Sequence, residues 1–220
     1  MPINNPDPDR NMDRSLHWEQ VYRTKGPDQV SWFQAEARLS RAMIERAVPD
    51  RAARIVDVGA GASTLVDGLL TSGYRDVTII DFSPSALAMS QQRLGGMAAS
   101  VVWQCGDVLT LALDAATFDV WHDRAVFHFL TDAVDRARYI AQIRHAVRPG
   151  GHVLVATFAQ DGPARCSGLD VARYSPLTLH SEFGPDFRLI GSRRELHRTP
   201  AGKQQSFTYC LCRFEPLARE

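Results

Sequence analysis

The chain has 220 residues, and its 25 Lys and Arg side chains balance its 25 Asp and Glu side chains to a formal net charge of +0 at pH 7. This balance excludes the basic excess of proteins that bind nucleic acid or an anionic membrane through many phosphates. With 45% hydrophobic residues, the length favours one compact α/β domain that needs no metal ion or disulfide to fold. We expect no metal site, no nucleic-acid or membrane partner, and a monomer or homodimer.

The sequence lacks the patterns of a membrane-spanning or secreted protein. No run approaches the roughly 18 consecutive apolar residues of a transmembrane helix, and the first residues, MPINNPDPDRNMDRS, are polar. Four cysteines are too few for a disulfide scaffold. These features predict a cytoplasmic protein. A metalloid site would require convergence of Cys105, Cys166 and either Cys210 or Cys212, and small buried apolar cysteines are the simpler interpretation.

The sequence of the N-terminal part predicts a tail followed by two helices. The predicted boundaries are 1–14 for a flexible tail, 15–53 for an N-terminal helical lid and first helix, and 54–220 for the main domain. Periodicity predicts helices over Ser15–Arg23 and Gln34–Val48. In the first helix, Trp18 and Tyr22 lie one turn apart on the same face.

From Arg54 onward, short apolar runs alternate with amphipathic helical patterns. The runs predict strands at Ile55–Val58, Val77–Ile80, Val101–Trp103, Phe118–Trp121 and His152–Phe158. Helices are predicted from Ser63, from the Ser83 cap to Gly95, and from Asp132 to Val147. This alternation predicts a mostly parallel sheet with helices on both faces.

The C-terminal part changes pattern. After a short helix from Ser175 to Gly184, the extended runs Phe187–Glu195 and Gln205–Phe214 are joined by a short turn, which only an antiparallel hairpin can accommodate. The predicted fold class is therefore a single Rossmann-like α/β domain, with a mostly parallel seven-stranded sheet and a C-terminal antiparallel hairpin.

Carboxylates follow four consecutive predicted strands. Asp57, Asp81, Asp107 and Asp123 all lie at or just after a strand end. Ligands of open α/β sheets bind outside the carboxyl ends of the strands, so these four side chains are candidates for one site. Any one of them alone is equally well explained as a turn residue or a helix cap.

The glycine turn after the first strand selects the kind of ligand. The turn Gly59-Ala60-Gly61-Ala62-Ser63-Thr64 has Thr64 where the dinucleotide fingerprint has Gly or Ala. Asp57, two residues before the turn, disfavours a pyrophosphate and suits a cationic group. Asp81 lies 22 residues after Gly59, where a carboxylate accepts from ribose hydroxyls, and Asp107 can accept from an adenine amine. The pattern indicates a phosphate-free nucleoside with a positively charged tail.

These segments together resemble a known family. VDVGAGAS (56–63), DVTIIDFS (76–83), CGDV (105–108), FDVWHDRAVFHFL (118–130) and RPGGHVLVATF (148–158) resemble the class I S-adenosylmethionine-dependent methyltransferases, in order and in spacing, from about Trp18 to Phe214. The N-terminal HWEQVYRTKGPDQVSWF (17–33) resembles the lid of small members that methylate thiols, metalloids or protein lysines. Ser63 departs from the third glycine that many members carry, which matters little if Ser63 only caps the helix.

The resemblance implies roles for residues of this chain. Gly59 and Gly61 would approach the methionine part of S-adenosyl-L-methionine, and Asp57 would face its cationic end. Asp81, with the adjacent Phe82, would hold the ribose. The adenine would contact Asp107 and Val108, the reacting methyl would lie over His122, and Trp18 and Tyr22 would close over the cofactor.

Acceptor-side residues are predicted around the fourth strand and the loop Ala159–Tyr174. The catalytic candidates are His122, Asp123, Arg124 and His128, because a His or carboxylate can deprotonate a thiol or an amine. The substrate-binding candidates are Trp32, Phe127, Arg165, Arg173 and Tyr174. The structural alternative is that Asp123 and Arg124 pair or cap the next helix, while His128 packs between phenylalanines.

Several functions remain compatible with the sequence. The first hypothesis is methyl transfer to a small-molecule or thiol acceptor by in-line displacement, with S-adenosyl-L-homocysteine as product. A protein lysine is the alternative acceptor, although Asp123-Arg124-Ala125 stands where lysine methyltransferases typically read Asp-Lys-Gly. From other classes, a nicotinamide-dependent oxidoreductase is disfavoured by Thr64 and Asp57, and a non-catalytic nucleoside-binding protein stays open.

Overall fold

The structure, a computed structural model, describes residues 8–217. In this range there are six α-helices: α1 (Pro8–Thr24), α2 (Arg38–Ala47), α3 (Leu65–Thr71), α4 (Pro84–Leu94), α5 (Ala133–Ala146) and α6 (Pro176–Phe183). The strands are β1 (Arg54–Val58), β2 (Asp76–Asp81), β3 (Val101–Cys105), β4 (Phe118–Arg124), β5 (Val147–Phe158), β6 (Arg165–Cys166), β7 (Leu169–Asp170), β8 (Phe187–Arg198) and β9 (Gln204–Phe214). Among residues 8–217, no helix is long and apolar enough to cross a bilayer.

Seven strands form one sheet in the order β3-β2-β1-β4-β5-β9-β8, and β6 and β7 form a separate two-stranded hairpin. The pairs from β3 to β5 are parallel, whereas β9 lies antiparallel between β5 and β8. The predicted fold class is confirmed. Because the chain order of the strands reverses between β1 and β4, the crevice that binds ligands in such sheets opens above these two strands.

The core lies on both faces of the sheet, and alternate residues of β5 divide between its two halves. Val153 and Val155 belong to the cluster covered by α5 and α6, while Leu154 and Ala156 belong to the cluster on the α2, α3 and α4 side. Both kinds of side chain are buried. A central strand buried on both faces explains why β5 reads as a continuous apolar run.

The turn after β1 needs glycine at two positions. Gly59 has φ +58 and Gly61 has φ +55, in the left-handed region that favours glycine. A Cβ at Gly59 would lie 2.0 Å from Val126 Cγ2, and one at Gly61 would lie 2.1 Å from the Tyr22 hydroxyl. The turn is therefore packed tightly between the β4–α5 connection and α1.

Some element boundaries differ from those predicted. The first helix begins at Pro8, not Ser15, so residues 8–14 of the predicted tail are helical, and residues 1–7 lie outside the described range. The second helix begins at Arg38, not Gln34. Residues 34–37 precede it because the Gln34 side chain donates to Glu195 on β8 and its carbonyl accepts from Thr64. Tertiary contacts here override a helical periodicity.

Candidate functional site

A cavity of about 330 Å³ opens at the carboxyl edge of the sheet, between the strand ends and α1. It brings together many of the predicted site residues: Trp18, Tyr22, Trp32, Gly59, Asp81, Phe82, Asp107, Val108 and Arg124. A smaller adjoining cavity of about 40 Å³ is lined by Asp57 and His122 and shares Tyr22, Trp32, Gly59 and Arg124 with the first. The two cavities form one continuous candidate site.

Asp81 links the end of β2 to the glycine turn. Its Oδ2 accepts from the Gly61 backbone N–H at 2.7 Å, and its Oδ1 accepts from the Ser83 N–H at 2.8 Å. Burial raises the pKa of Asp81 to about 6, although both N–H donors act in the opposite direction. This carboxylate fixes the shape of the turn and also lines the cavity.

Asp107 follows β3 and presents an unused acceptor. Its Oδ1 accepts from the Leu109 N–H at 2.8 Å, whereas Oδ2 is buried with no hydrogen-bond partner among the described residues. Burial raises the pKa of this carboxyl group. Since an unpaired buried oxygen is costly, Oδ2 fits a ligand that brings its own N–H donor. Phe82 and Val108 line the same cavity with apolar surface.

Asp57 and His122 form a buried pair on neighbouring strands β1 and β4. The Asp57 Oδ1 lies 2.6 Å from His122 Nδ1, and the other ring nitrogen lies 2.8 Å from the Ser40 hydroxyl on α2. Asp57 Oδ2 is buried and without a hydrogen-bond partner among the described residues. Because both ring nitrogens of His122 are already engaged, this histidine orients Asp57 and has no free nitrogen for an acceptor.

Aromatic side chains form one wall of the cavity. Trp18 packs edge-on against Trp32, with centroids 5.5 Å apart, and against Phe129 at 5.0 Å. The Trp32 indole N–H donates to the Tyr22 hydroxyl at 3.3 Å. Burial raises the pKa of Tyr22 far above its usual value, so this hydroxyl stays neutral. The wall is therefore mainly aromatic surface, with the Tyr22 hydroxyl and the Trp32 N–H hydrogen-bonded to each other.

Glu19 is a functional candidate that the sequence did not single out. Its carboxylate accepts from the Ser83 hydroxyl at 2.7 Å, the Ser85 hydroxyl at 2.5 Å and the Ser85 N–H at 3.2 Å. These hydrogen bonds, that of Ser83 first, lower the pKa of Glu19. Glu19 therefore fastens α1 to the start of α4, directly after Asp81. The serines around Pro84 signal a helix start, but no sequence signal pairs them with Glu19.

Arg124 lines both cavities and is held on several sides. Its guanidinium donates to the Tyr209 hydroxyl at 2.9 Å, the Trp32 carbonyl at 3.0 Å and Glu195 at 3.3 Å. It also lies over the Phe207 ring, 4.2 Å from the centroid. Arg124 therefore positions the segment that carries Trp32.

Asp123 has a structural role rather than the predicted catalytic one. Its oxygens accept from the backbone N–H groups of Val126 and Phe127, at 2.8 and 2.9 Å, and from the Tyr139 hydroxyl at 2.5 Å. Burial raises the pKa of Asp123 to about 6. The carboxylate lines neither cavity, because it points back to hold the turn after β4.

His128, Phe127 and Tyr174 are core residues, which corrects their predicted catalytic and substrate-binding roles. The His128 Nδ1 accepts from the Phe158 N–H at 3.2 Å, and burial lowers the pKa of His128 to about 3. Phe127 stacks on Phe183, with centroids 5.4 Å apart, and Tyr174 packs against Phe127. None of the three lines the cavities.

Arg165 and Arg173 also lie away from the cavity walls. Arg165 pairs with Asp170 at 3.0 Å across the β6–β7 hairpin, and Arg173 donates to the Gly162 carbonyl at 3.2 Å. The predicted loop does reach the cavity, but through hairpin side chains that the sequence reasoning missed: Cys166, Leu169 and Asp170. Further lining residues that were not predicted are Arg14, Ile80, Gly106, Leu109, Ala125, Val126, Phe129, Leu130 and Thr131.

The four cysteines are free and do not converge. Cys105 is exposed at the end of β3, and Cys166 lies in the core on the α2 side of the sheet. Cys210 and Cys212 lie in the core on the opposite side, with their sulfurs 3.6 Å apart. Within residues 8–217, no group of three His, Cys, Asp or Glu side chains is arranged to hold a metal ion.

Comparison with known proteins identifies the fold family. Residues 55–151 match the family model described as a methyltransferase domain. A solved structure with similar architecture is the Burkholderia thailandensis 1,6-didemethyltoxoflavin-N1-methyltransferase with bound 1,6-didemethyltoxoflavin and S-adenosylhomocysteine. Its TM-score is 0.69 at 22% identity, covering 98% of this chain and 93% of that one. The match over residues 55–151 and the shared architecture support a class I S-adenosylmethionine-dependent methyltransferase.

Curated relatives of this methyltransferase act on different acceptors. The eEF1A lysine and N-terminal methyltransferase of Danio rerio is 24% identical over 148 residues, 66% of this chain and 21% of that protein. The O-methyltransferase cnsE of Penicillium expansum is 28% identical over 143 residues, 64% of this chain and 50% of that protein. The methyltransferase therefore matches about a fifth of the first relative and half of the second.

The residues of this methyltransferase fit the cofactor of its family, S-adenosyl-L-methionine. The cofactor carries an ammonium group, ribose hydroxyls and an adenine amine, all hydrogen-bond donors. This edge of the sheet offers Asp57, Asp81 and Asp107 as acceptors, and Asp57 and Asp107 each have a buried oxygen that no group in the described part of the chain contacts by a hydrogen bond. A donor-rich cationic ligand meets this set of acceptors better than a pyrophosphate does.

Proposed function

We propose that this methyltransferase transfers the methyl group of S-adenosyl-L-methionine to a small-molecule or thiol acceptor by in-line displacement. The observation that carries the proposal is a pair of buried oxygens without a hydrogen-bond partner in residues 8–217, Asp57 Oδ2 and Asp107 Oδ2, whose residues line the smaller and the larger cavity. Each oxygen needs a donor from outside the protein. An ammonium at Asp57 and an adenine amine at Asp107 satisfy both at once.

The protein's residues bind and orient the two reactants. Asp57, held by His122, receives the ammonium, and the Gly59–Gly61 turn lets the backbone approach the methionine part. Asp81 accepts from the ribose while it keeps Gly61 in place. The bound cofactor supplies an activated methyl group on a sulfonium, which is a good leaving group.

The remaining task is alignment and exclusion of water. Trp18, Tyr22 and Trp32 line the cavity, and Glu19 holds α1, which carries Trp18 and Tyr22, on α4. Holding two reactants about 3–3.5 Å apart contributes most of the acceleration that such a displacement needs. We assign no general base to His122 or His128, because the nitrogens of the first are engaged and the second is in the core.

Protein-lysine methylation is the second candidate. It is favoured by the lysine-directed relative, whose match covers 66% of this chain. It is disfavoured by Arg124-Ala125 after Asp123, where such enzymes typically carry Lys-Gly.

Titration calorimetry tests the cofactor assignment. We expect S-adenosylhomocysteine to bind with micromolar or tighter affinity and NAD to give no signal. The reverse result would assign the chain to dinucleotide chemistry. A label-transfer screen from methyl-labelled S-adenosyl-L-methionine to thiols, amines, carboxylates and a cell lysate then separates the two acceptor classes.

A further inference from the structure

The part of the cavity that would bind the acceptor is lined mainly by apolar side chains. Once the residues proposed for the cofactor are set aside, the wall consists mainly of apolar groups, namely Ala125, Phe129, Leu130, Cys166 and Leu169, and Phe129 packs against Trp18 of the cover. This division rests on the proposed function, in which the rest of the cavity binds the cofactor.

Each charged group in this part of the wall has an opposite charge beside it. Arg14 pairs with Asp135 at 2.6 Å, and Arg124 pairs with Glu195 at 3.3 Å. Asp170, at the exposed rim, pairs with Arg165 at 3.0 Å. A charged acceptor would lose its hydration and gain no partner from these residues. A cationic acceptor would also be repelled by the sulfonium of the cofactor.

The thiol and hydroxyl groups at the acceptor end are held neutral, and the Asp170 carboxylate lies at the exposed rim in an ion pair with Arg165. Burial raises the pKa of the Cys166 thiol to about 11 and raises the pKa of the Tyr22 hydroxyl above that, so neither group is ionised at neutral pH. An aliphatic amine with a pKa near 10.4 is uncharged in only about one molecule in 2,500 at pH 7. The nucleophilic atom of the acceptor must therefore already carry a free lone pair when the acceptor binds.

Size limits the acceptor as well. The main cavity of about 330 Å³ lies near the lower end of the roughly 300–1,000 Å³ typical of ligand pockets, and it must also take most of a nucleoside. The aromatic side chains of Trp18 and Phe129 both line the cavity, and they favour an aromatic partner because stacked or edge-on aromatic pairs gain stability beyond burial alone.

We infer that the acceptor is a small, uncharged aromatic molecule whose nucleophilic atom carries a free lone pair at neutral pH, such as a weakly basic ring nitrogen. The lone pair forms a bond to the methyl carbon as the carbon–sulfur bond breaks, and the electron pair of that bond stays on sulfur. The positive charge passes to the acceptor, which releases a proton to water if its nucleophilic atom carries one.

Binding to the full chain saturated with S-adenosylhomocysteine tests the inference at pH 7.5. The probes are quinoline, benzylamine and benzoate, which are neutral, cationic and anionic aromatic molecules. We expect quinoline to bind at least tenfold more tightly than the other two. No binding of quinoline, or equal or tighter binding of benzylamine or benzoate, overturns the inference.

Variants then locate the probe. Phe129→Leu is expected to weaken quinoline at least fivefold while changing S-adenosylhomocysteine affinity less. Trp18→Leu is expected to weaken both, because Trp18 also covers the cofactor, and Arg173→Ala, away from the cavity, is the matched control. Unchanged quinoline affinity in both Leu variants contradicts the placement.

If S-adenosylhomocysteine itself does not bind, the proposed function fails and the inference with it. If it binds and benzylamine is methylated in preference to quinoline, only the inference fails.

Discussion

Asp57 on β1 and His122 on β4 lie side by side in parallel register, and the 2.6 Å contact between Oδ1 and Nδ1 engages one carboxylate oxygen while the other has no partner among the described residues. An ionised carboxylate only accepts hydrogen bonds, so His122 donates through Nδ1 and turns its other nitrogen to Ser40. The histidine thus aims Asp57 at the small cavity.

Asp57→Asn is expected to weaken S-adenosylhomocysteine binding at least tenfold. Loss of a charged acceptor for an ammonium costs about 1.5–3 kcal/mol, and 1.4 kcal/mol is tenfold in affinity. Calorimetry measures the effect. Asp76→Asn is the matched control, because Asp76 pairs with Arg54 at the opposite edge of the sheet. Equal affinity in Asp57→Asn and Asp76→Asn would refute the role of Asp57.

The pH dependence of cofactor affinity reports on Asp81. Its pKa is raised by burial to about 6 in the absence of ligand, and the ionised form is the better acceptor for ribose hydroxyls. We expect S-adenosylhomocysteine affinity to be constant above about pH 7 and to fall as the pH drops through 6 towards 5.

Asp81→Ala should weaken S-adenosylhomocysteine at least tenfold at pH 7.5, because the ribose acceptor and the anchor of Gly61 are both lost. The variant should also flatten the pH profile between 5 and 7. A wild-type profile that is already flat, or a variant of undiminished affinity, contradicts this assignment.

Glu19→Gln removes the charge that fastens α1 to α4. We expect S-adenosylhomocysteine to dissociate several-fold faster with little change in melting temperature, because the hydrogen bonds to Ser83 and Ser85 are charge-assisted but local. Stopped-flow displacement measures the rate. Glu36→Gln is the control, since Glu36 pairs only with the exposed Arg38 in the described contacts. Matching rates in the two variants would mean that α1 does not limit release.

Asp123→Ala is expected to destabilise the fold by at least about 2 kcal/mol, because it leaves two backbone N–H groups and the Tyr139 hydroxyl without their acceptor. Denaturant unfolding measures the loss. The folded fraction should bind S-adenosylhomocysteine as the wild type does. A stable Asp123→Ala protein that binds cofactor but has lost methyl transfer would restore the predicted catalytic role.

Local patterns were sufficient for the fold and for the placement of the acidic strand ends at one edge of the sheet. Strand-length apolar runs, the Ser83 and Ser175 caps and the short C-terminal turn act over a few residues, and the structure confirms each of them. The same patterns predicted that Asp81 and Asp107 lie at one edge, because parallel strands bring their carboxyl ends together.

The acceptor side was predicted less well because it depends on the direction of individual side chains. The sequence placed Asp107 and Asp123 alike at strand ends. In the structure Asp107 follows β3 and lines the cavity, whereas Asp123 lies within β4 and accepts from Val126 and Phe127. The sequence also predicted an irregular loop over Ala159–Tyr174. In the structure two residue pairs join β6 and β7 in a short hairpin, and Cys166 and Leu169 of this hairpin line the cavity.

The sequence by itself determined the alternation of strands and helices, the glycine turn and the acidic strand ends, because these are properties of short stretches of chain. Only the tertiary structure decided which polar groups meet. His122 reaches Asp57 across 65 residues and Ser40 across 82, and Glu19 reaches Ser83 across 64. Such contacts arise from strand register and helix docking, which depend on the packing of the whole domain rather than on any local pattern.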